Sequence, residues 1–369
     1  MKIIFFTFII FIINANHSFA NDGAFYAAGN HLIPIIENDI SVQKEILYIK
    51  KVENLYFEIS VYYEFYNPKN AKNVLVGFEA ESPSGDVDVT PINGKHPYMR
   101  EFTVNLNDKN LDYEVAYVKD SNYVKDNKIF SLKQNEVLNE IDDLNDAHFD
   151  YVYYFNANFK KGLNIIKHTY KFDISNSVDF IYTMSYVLTA ANRWSNSQID
   201  DFTLILDLGY FESFYIIKDF FDKNDDWIIN GIGNSANAEE SYTQLYEYNA
   251  NKFNIQSGTL ILTKKNFHPK GNLYLNSIRH YYVSEFFDYR KDSLPFSITQ
   301  QEIINPPVDE ISKSILRNLP YARRGYIFKN KEIQNYYEKF TDWYIKNPNY
   351  IPYDDYLFDE EKEWVKKWK

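Results

Sequence analysis

From Phe57 to Phe65 the chain alternates, with Phe57, Ile59, Val61, Tyr63 and Phe65 on one side and Glu58, Ser60, Tyr62 and Glu64 on the other. A period of two predicts a strand with one buried and one wetted face. Asn67-Pro68 ends it, because proline brings no amide to a ladder. Val74, Val76 and Phe78 begin a second strand, and Ser82-Pro83-Ser84-Gly85-Asp86 predicts the turn that follows. Further on, the runs 151–156 and 164–172 flank Lys160-Lys161-Gly162 and predict a hairpin. Phe202, Leu204 and Leu206 alternate with Thr203, Ile205 and Asp207, and 242–248 and 259–263 supply late strands. This spacing predicts a mainly β fold, an antiparallel β-sandwich region built as one large or two smaller sandwiches.

Helical spacing interrupts the pattern twice. Val137, Leu138, Ile141 and Leu144 recur at steps of three and four, with Glu136, Glu140, Asp143 and Asp146 around them, which predicts an amphipathic helix over 133–147. After Asn305-Pro306-Pro307, read as a linker, Ile311, Ile315 and Leu316 predict a helix that Pro320 disturbs. Gly325 suits the residue just past a helix end, with Tyr326 packing back. Ile333, Tyr336, Tyr337 and Phe340 mark a second helix. A third begins with Asp359 as N-cap, Glu360 and Glu361 in its first turn and Lys366 and Lys367 in its last. Trp343, Trp364 and Trp368 are expected to form the core of this small α-helical C-terminal domain.

The chain opens with Met1-Lys2, an apolar run from Ile3 to Ile13 and the ending Ser18-Phe19-Ala20. One positive charge, a short apolar core and small residues two apart read as a signal peptide over 1–20. This run of eleven residues, broken once by Thr7, falls short of the about 20 that cross a bilayer. The expected organisation is thus a signal peptide, a β-rich region over 21–300 with subdivision near 130–150 as an option, and a helical domain over 305–369. The expected location is periplasmic or extracellular, with no membrane span after cleavage. With no cysteine, disulfides, thiolate catalysis and cysteine-ligated metal are excluded. A formal net charge of −12 repels phosphate backbones, so nucleic acid is not an expected partner.

Two resemblances add to this reading. The stretch Leu319-Pro320-Tyr321-Ala322-Arg323-Arg324-Gly325-Tyr326-Ile327-Phe328, with Trp343-Tyr344 and Pro348-Asn349-Tyr350 after it, resembles the YARHG domain, a small extracellular bacterial domain of unknown function. The fourth motif position, usually His, is Arg324 here, so a role for that imidazole does not carry over. A structural role is expected instead: a helix stop at Gly325, and a guanidinium at Arg323 that bridges acidic groups of the following helices. Asn21-Asp22-Gly23, Gly29-Asn30-His31-Leu32, Ile40-Ser41-Val42, Lys44-Glu45-Ile46-Leu47 and Tyr63-Glu64-Phe65-Tyr66-Asn67 resemble a secreted bacterial family, domain of unknown function 4424. Phe78 and Arg193-Trp194 leading into Ile199-Asp200-Asp201-Phe202-Thr203 extend that likeness over about 21–290. Neither family implies an activity.

Catalytic signatures are sparse. Ser41-x-x-Lys44 has a nucleophile spacing but lies in a predicted strand without companion motifs. No His-x-His or His-Glu-x-x-His occurs; His148-Phe149-Asp150 could orient an imidazole, but a lone His near a helix end reads as a capping or surface residue. Asp222-x-Asn224-x-Asp226 and Asp108-x-Asn110-x-Asp112 alternate oxygen ligands, but Trp227 and Tyr113 replace the turn glycine of a calcium loop. No metal or other cofactor is therefore expected. Asp200-Asp201, six residues after Trp194, is the carboxylate pair to test for carbohydrate chemistry. The expected function is a non-enzymatic envelope or extracellular binding protein, with a cell-envelope protein or glycan as partner. The alternative is a carboxylate-dependent hydrolase of carbohydrate or peptidoglycan. Candidate residues are Tyr321, Arg323, Arg324, Gly325, Trp343, Trp194, Asp200 and Asp201.

Overall fold

Alternation becomes burial where the pattern is strongest: in Tyr56–Asn67, Phe57, Ile59, Val61, Tyr63 and Phe65 face the core. The computed structural model describes residues 31–34, 39–119, 123–125, 128–142, 145–221, 223, 226–237, 249–279, 286–298 and 307–369. The expected signal peptide, the strand at 242–248, Asp222 and Asn224, and most of the expected linker lie outside the described residues.

The strands are β1 (His31–Pro34), β2 (Ser41–Val52), β3 (Tyr56–Asn67), β4 (Lys72–Ala80), β5 (Met99–Leu106), β6 (Lys109–Asn110), β7 (Glu114–Val118), β8 (Val124–Lys125), β9 (Lys128–Ile129), β10 (Asp150–Phe159), β11 (Gly162–Asp173), β12 (Phe180–Tyr186), β13 (Ile199–Asp207), β14 (Glu212–Ile217), β15 (Trp227–Asn237), β16 (Ala250–Phe267) and β17 (Leu273–Ile278). The helices are α1 (Gln134–Val137), α2 (Glu310–Ala322), α3 (Lys331–Phe340) and α4 (Asp359–Lys367). The fold is mainly β, with a small C-terminal helical region, as the alternation and the tail predict.

One sheet runs β1-β4-β10-β7, and a larger one runs β12-β17-β14-β16-β13-β2-β3-β11-β5-β6, with β15 also paired to β16. The sheets face each other through aromatic rings: Phe78 of β4 lies 5.0 Å from Phe102 of β5 and 5.1 Å from Tyr170 of β11. The large sheet bends back on itself, so that Tyr182 of β12 meets Phe57 of β3 edge-on at 5.9 Å.

Three expectations need correction. The large sheet is mixed, because β2 and β13 run parallel, Val42 opposite Ile199 and Lys50 opposite Asp207. Parallel neighbours need a long connection, which no local turn signal announces. The strands flanking Lys160-Lys161-Gly162 do not form a hairpin either. β10 pairs with β4 and β7, whereas β11 pairs with β3 and β5, so the chain turns a corner from one sheet to the other. Buried Asn164 pins that corner, donating to the Lys160 and Gly162 carbonyls and accepting from the Lys160 amide at 2.9–3.0 Å. Finally, the helix predicted over 133–147 is one α turn, α1, followed by a 3-10 turn at Leu138–Glu140. Val137 is buried, but Leu138 is 60% exposed, and Ile141 bridges to Ala147 as extended chain.

The helical region has its own core of Ile315, Leu316, Leu319, Tyr337, Trp343, Trp364 and Trp368. It also takes in Phe287, Leu294, Phe296 and Ile298, upstream of the expected boundary near residue 300, and Phe211 from the β region. Helix α4 is capped one residue earlier than predicted: it begins at Asp359 itself, Phe358 is the N-cap, and the Phe358 amide donates to Glu361 at 2.9 Å. Among the described residues no helix is long and apolar enough to cross a membrane.

Candidate functional site

The chemistry of the tail starts with Pro320 inside α2. Proline has no amide to close the bond to the carbonyl four residues earlier. The Leu316 carbonyl accepts the Trp364 indole N–H instead, at 2.6 Å, which ties α4 to α2. Helix α2 then ends in a Schellman motif: the Tyr326 amide donates to the Tyr321 carbonyl and the Gly325 amide to that of Ala322. Gly325 has φ +81°, and a Cβ there would sit 2.2 Å from the Ile345 carbonyl oxygen, so the position has no room for a side chain.

That stop directs Arg323 and Arg324 inward against α4. Glu361, fully buried, receives Arg323 at 3.1 Å and both terminal nitrogens of Arg324 at 2.7 Å. Arg324 donates further to the Pro320 carbonyl at 2.8 Å. The fork explains what arginine does at a position where the motif usually has histidine, since an imidazole cannot span both carboxylate oxygens. Both guanidiniums stack on Phe211, at 4.1 and 4.6 Å from the ring centre. Burial lowers the Arg323 pKa to about 10, and its Nε has no hydrogen-bond partner.

Phe211 comes from the β13–β14 loop and has a left-handed φ of +57°, rare for a bulky side chain. It reaches the helical core by projecting across the seam between the two regions. A cleft of about 540 Å³ opens there, lined among others by Lys51, Glu53, Tyr210, Glu212, Arg323, Phe358 and Glu360. On its β side Lys51 pairs with Glu212 at 2.9 Å and lies 5.1 Å from the Tyr182 ring centre, while the Tyr182 hydroxyl donates to the other Glu212 oxygen at 2.9 Å. At the mouth, Tyr210 is 67% and Phe358 44% exposed, with ring centres 6.3 Å apart.

Of the candidate site residues named from sequence, Arg323 alone lines this cleft, beside the helix-start acids Asp359 and Glu360. Arg324 and Gly325 support it from behind. Tyr321 donates to Asp354 within the tail, and Trp343 to the Leu294 carbonyl upstream of it. Trp194 is buried against Phe65 at 4.4 Å, a core residue rather than an exposed platform. Asp201 is held by Lys265 at 2.8 Å, which lowers its pKa, and by Lys44 at 3.6 Å. Asp200 accepts from the Asn196 and Gln198 amides. His148 pairs with Asp142 at 3.3 Å, not with Asp150, which accepts the Ser82 amide. Asp108 pairs with Lys167 and Asp226 with Lys264, and among the described residues no group of three His, Asp or Glu is placed to hold a metal. Sequence reasoning missed Lys51, Tyr210, Phe211, Glu212 and Phe358. Lys51 and Glu212 meet across 161 residues, and no motif marks either.

Residues 308–369 match the YARHG domain and form one. No curated protein matches the chain. Among solved structures, the chain is similar to a candidate nutrient binding protein of Legionella pneumophila subsp. pneumophila str. Philadelphia 1, with 16% identity, 94% of this chain and 99% of that one covered, and a TM-score of 0.45. It is also similar to an M1 zinc metallopeptidase of Deinococcus radiodurans, with 8% identity, coverage of 65% and 42%, and a TM-score of 0.28. Yeast LTA4 hydrolase gives 8% identity, coverage of 65% and 29%, and a TM-score of 0.27. The chain thus spans less than half of either hydrolytic relative, and TM-scores below 0.5 do not establish a shared fold.

Proposed function

We propose that this chain is an exported bacterial binding protein, periplasmic or extracellular, that captures its ligand in the cleft between the β region and the YARHG domain. The signal-like N-terminus and the YARHG domain support export, and the resemblance of residues 21–290 to domain of unknown function 4424 supports it further. The observation that carries the binding reading is that both regions contribute side chains to one cleft, with a buried guanidinium and a buried ammonium in its wall. A pocket of this size, part aromatic and part charged, is of the kind that takes small ligands. The hydrolase alternative rests on Asp200 and Asp201, whose carboxylates already satisfy lysines and side-chain amides.

Hydrogen–deuterium exchange of the full mature chain with the small-molecule fraction of an envelope digest tests this reading. The expected result is added protection at 51–54, 208–212 and 358–360. Protection confined to other segments, or none, would overturn it.

A further inference from the structure

The charges around the seam cleft are arranged by depth. Deep in its wall, Arg323 and Arg324 share the single carboxylate of Glu361, leaving one positive charge without a buried counter-ion of its own among the described residues. Lys51 and Glu212 beside them neutralise each other. Burying an uncompensated charge is costly, and the cost falls when an anion joins it. Arg323, its side chain more than nine-tenths buried, is the member of the arginine pair that lines the cleft.

The mouth has the opposite sign. Glu53, Asp359 and Glu360 are exposed there, and Glu53 and Glu360 form no ion pair with any described cation. Tyr210 and Phe358 add an apolar wall between mouth and floor. A dianion such as a phosphate monoester would exceed the single surplus charge and meet three carboxylates on entry. A neutral sugar would leave the floor uncompensated, and a plain amine would be drawn to the mouth but repelled further in.

Resting on the binding reading above, we propose that the cleft takes a zwitterionic amino acid or short peptide, its carboxylate directed inward to Arg323 and Lys51. Its ammonium group stays at the mouth with Glu53 and Glu360, and its side chain lies along Tyr210 and Phe358. The two ends of the ligand then each find the opposite charge, and its apolar part covers the exposed rings.

Isothermal titration of the full mature chain with the dipeptide Ala-Phe, its N-acetylated form and its C-terminal amide tests the assignment. Ala-Phe is expected to bind; acetylation, which removes the ammonium group, weakens binding about threefold, and amidation, which removes the carboxylate, weakens it at least about tenfold. The double variant Lys51→Met/Glu212→Gln removes the ammonium and neutralises its partner at near-constant shape. It is expected to weaken Ala-Phe binding without lowering the melting temperature. An amide that binds as tightly as the free dipeptide, or no binding by any of the three, would overturn the zwitterion assignment. If exchange protection at the cleft persists with the digest fraction, the binding reading stands and only the ligand class fails.

Discussion

The β region and the YARHG domain both bury ionisable side chains, and they neutralise them in opposite ways. In the strand core of the β region, away from the cleft where Lys51 and Glu212 stay paired, the buried groups lose their charge. Glu45, enclosed in the strand core, has its pKa raised to about 8 by burial, with the Tyr186 hydroxyl 3.3 Å away and those of Tyr63 and Tyr186 3.1 Å apart. His168, stacked between Tyr63 and Tyr170 with no partner on either ring nitrogen, has its pKa pushed down to about 3. Burial lowers that of His96 to about 4. There the Tyr98 amide donates to Nδ1, which leaves Nε2 to donate to the Glu81 carbonyl and fixes the neutral tautomer. In the YARHG domain the charges remain and share a partner, two guanidiniums on one carboxylate. The first arrangement depends on pH, whereas the second depends on every partner being present.

The sharpest way to break the second arrangement is Glu361→Gln. Two buried guanidiniums would then share a neutral amide, at a cost of about 3–5 kcal/mol. Trp343, Trp364 and Trp368 lie in this domain, so tryptophan fluorescence should show it melting well before the strand core, which circular dichroism follows. A single coincident transition at the wild-type temperature would refute the shared-carboxylate account.

A smaller effect separates the regions by pH. Because Glu45 has a raised pKa when folded, its contribution is fully present below about 4.5 and lost as pH rises through about 8. The two histidines, lowered when folded, contribute fully above about 6.5, and that stability is lost as pH falls through about 4 and 3. Urea midpoints of the strand core should therefore decline on both sides of mildly acid pH. Glu45→Gln should remove most of the alkaline decline, about 2–4 kcal/mol, and leave the acid side unchanged. An identical alkaline slope in the variant would sink this account.

The mildest test concerns Pro320. Trp364→Phe should cost about 1 kcal/mol, the worth of the bond to the Leu316 carbonyl. In a Pro320→Ala background an amide is available for that carbonyl, so the same change should cost less. Equal costs in both backgrounds would show that proline and indole are not coupled.

These differences also mark how far the sequence could be read. Alternation located β3, β4, β10, β11 and β13, because each has one face on the core. It could not say that β10 and β11 enter different sheets, since the signal at Gly162 reports a turn and not its destination. The helix stop at Gly325 was legible because its cause lies within a few residues, and a pairing of Arg323 with the next helices because they are rich in acids, though not which acid it meets. The Lys51–Glu212 pair and the left-handed Phe211 follow from long-range packing. Trp194 next to Asp200-Asp201 suggested a sugar platform only while its burial was unknown, and Val137-Leu138 suggested a helix longer than its single buried residue sustains.

Phe211 has a meaning for how this chain was assembled. The ring lying against both motif arginines belongs to a loop a hundred residues upstream, so the helical module carries a socket and borrows the plug. Grafted onto another body, the module would keep its three helices yet lack that ring beneath its guanidiniums. Its portability therefore depends on aromatic side chains, Phe211 foremost, that its own sequence does not encode.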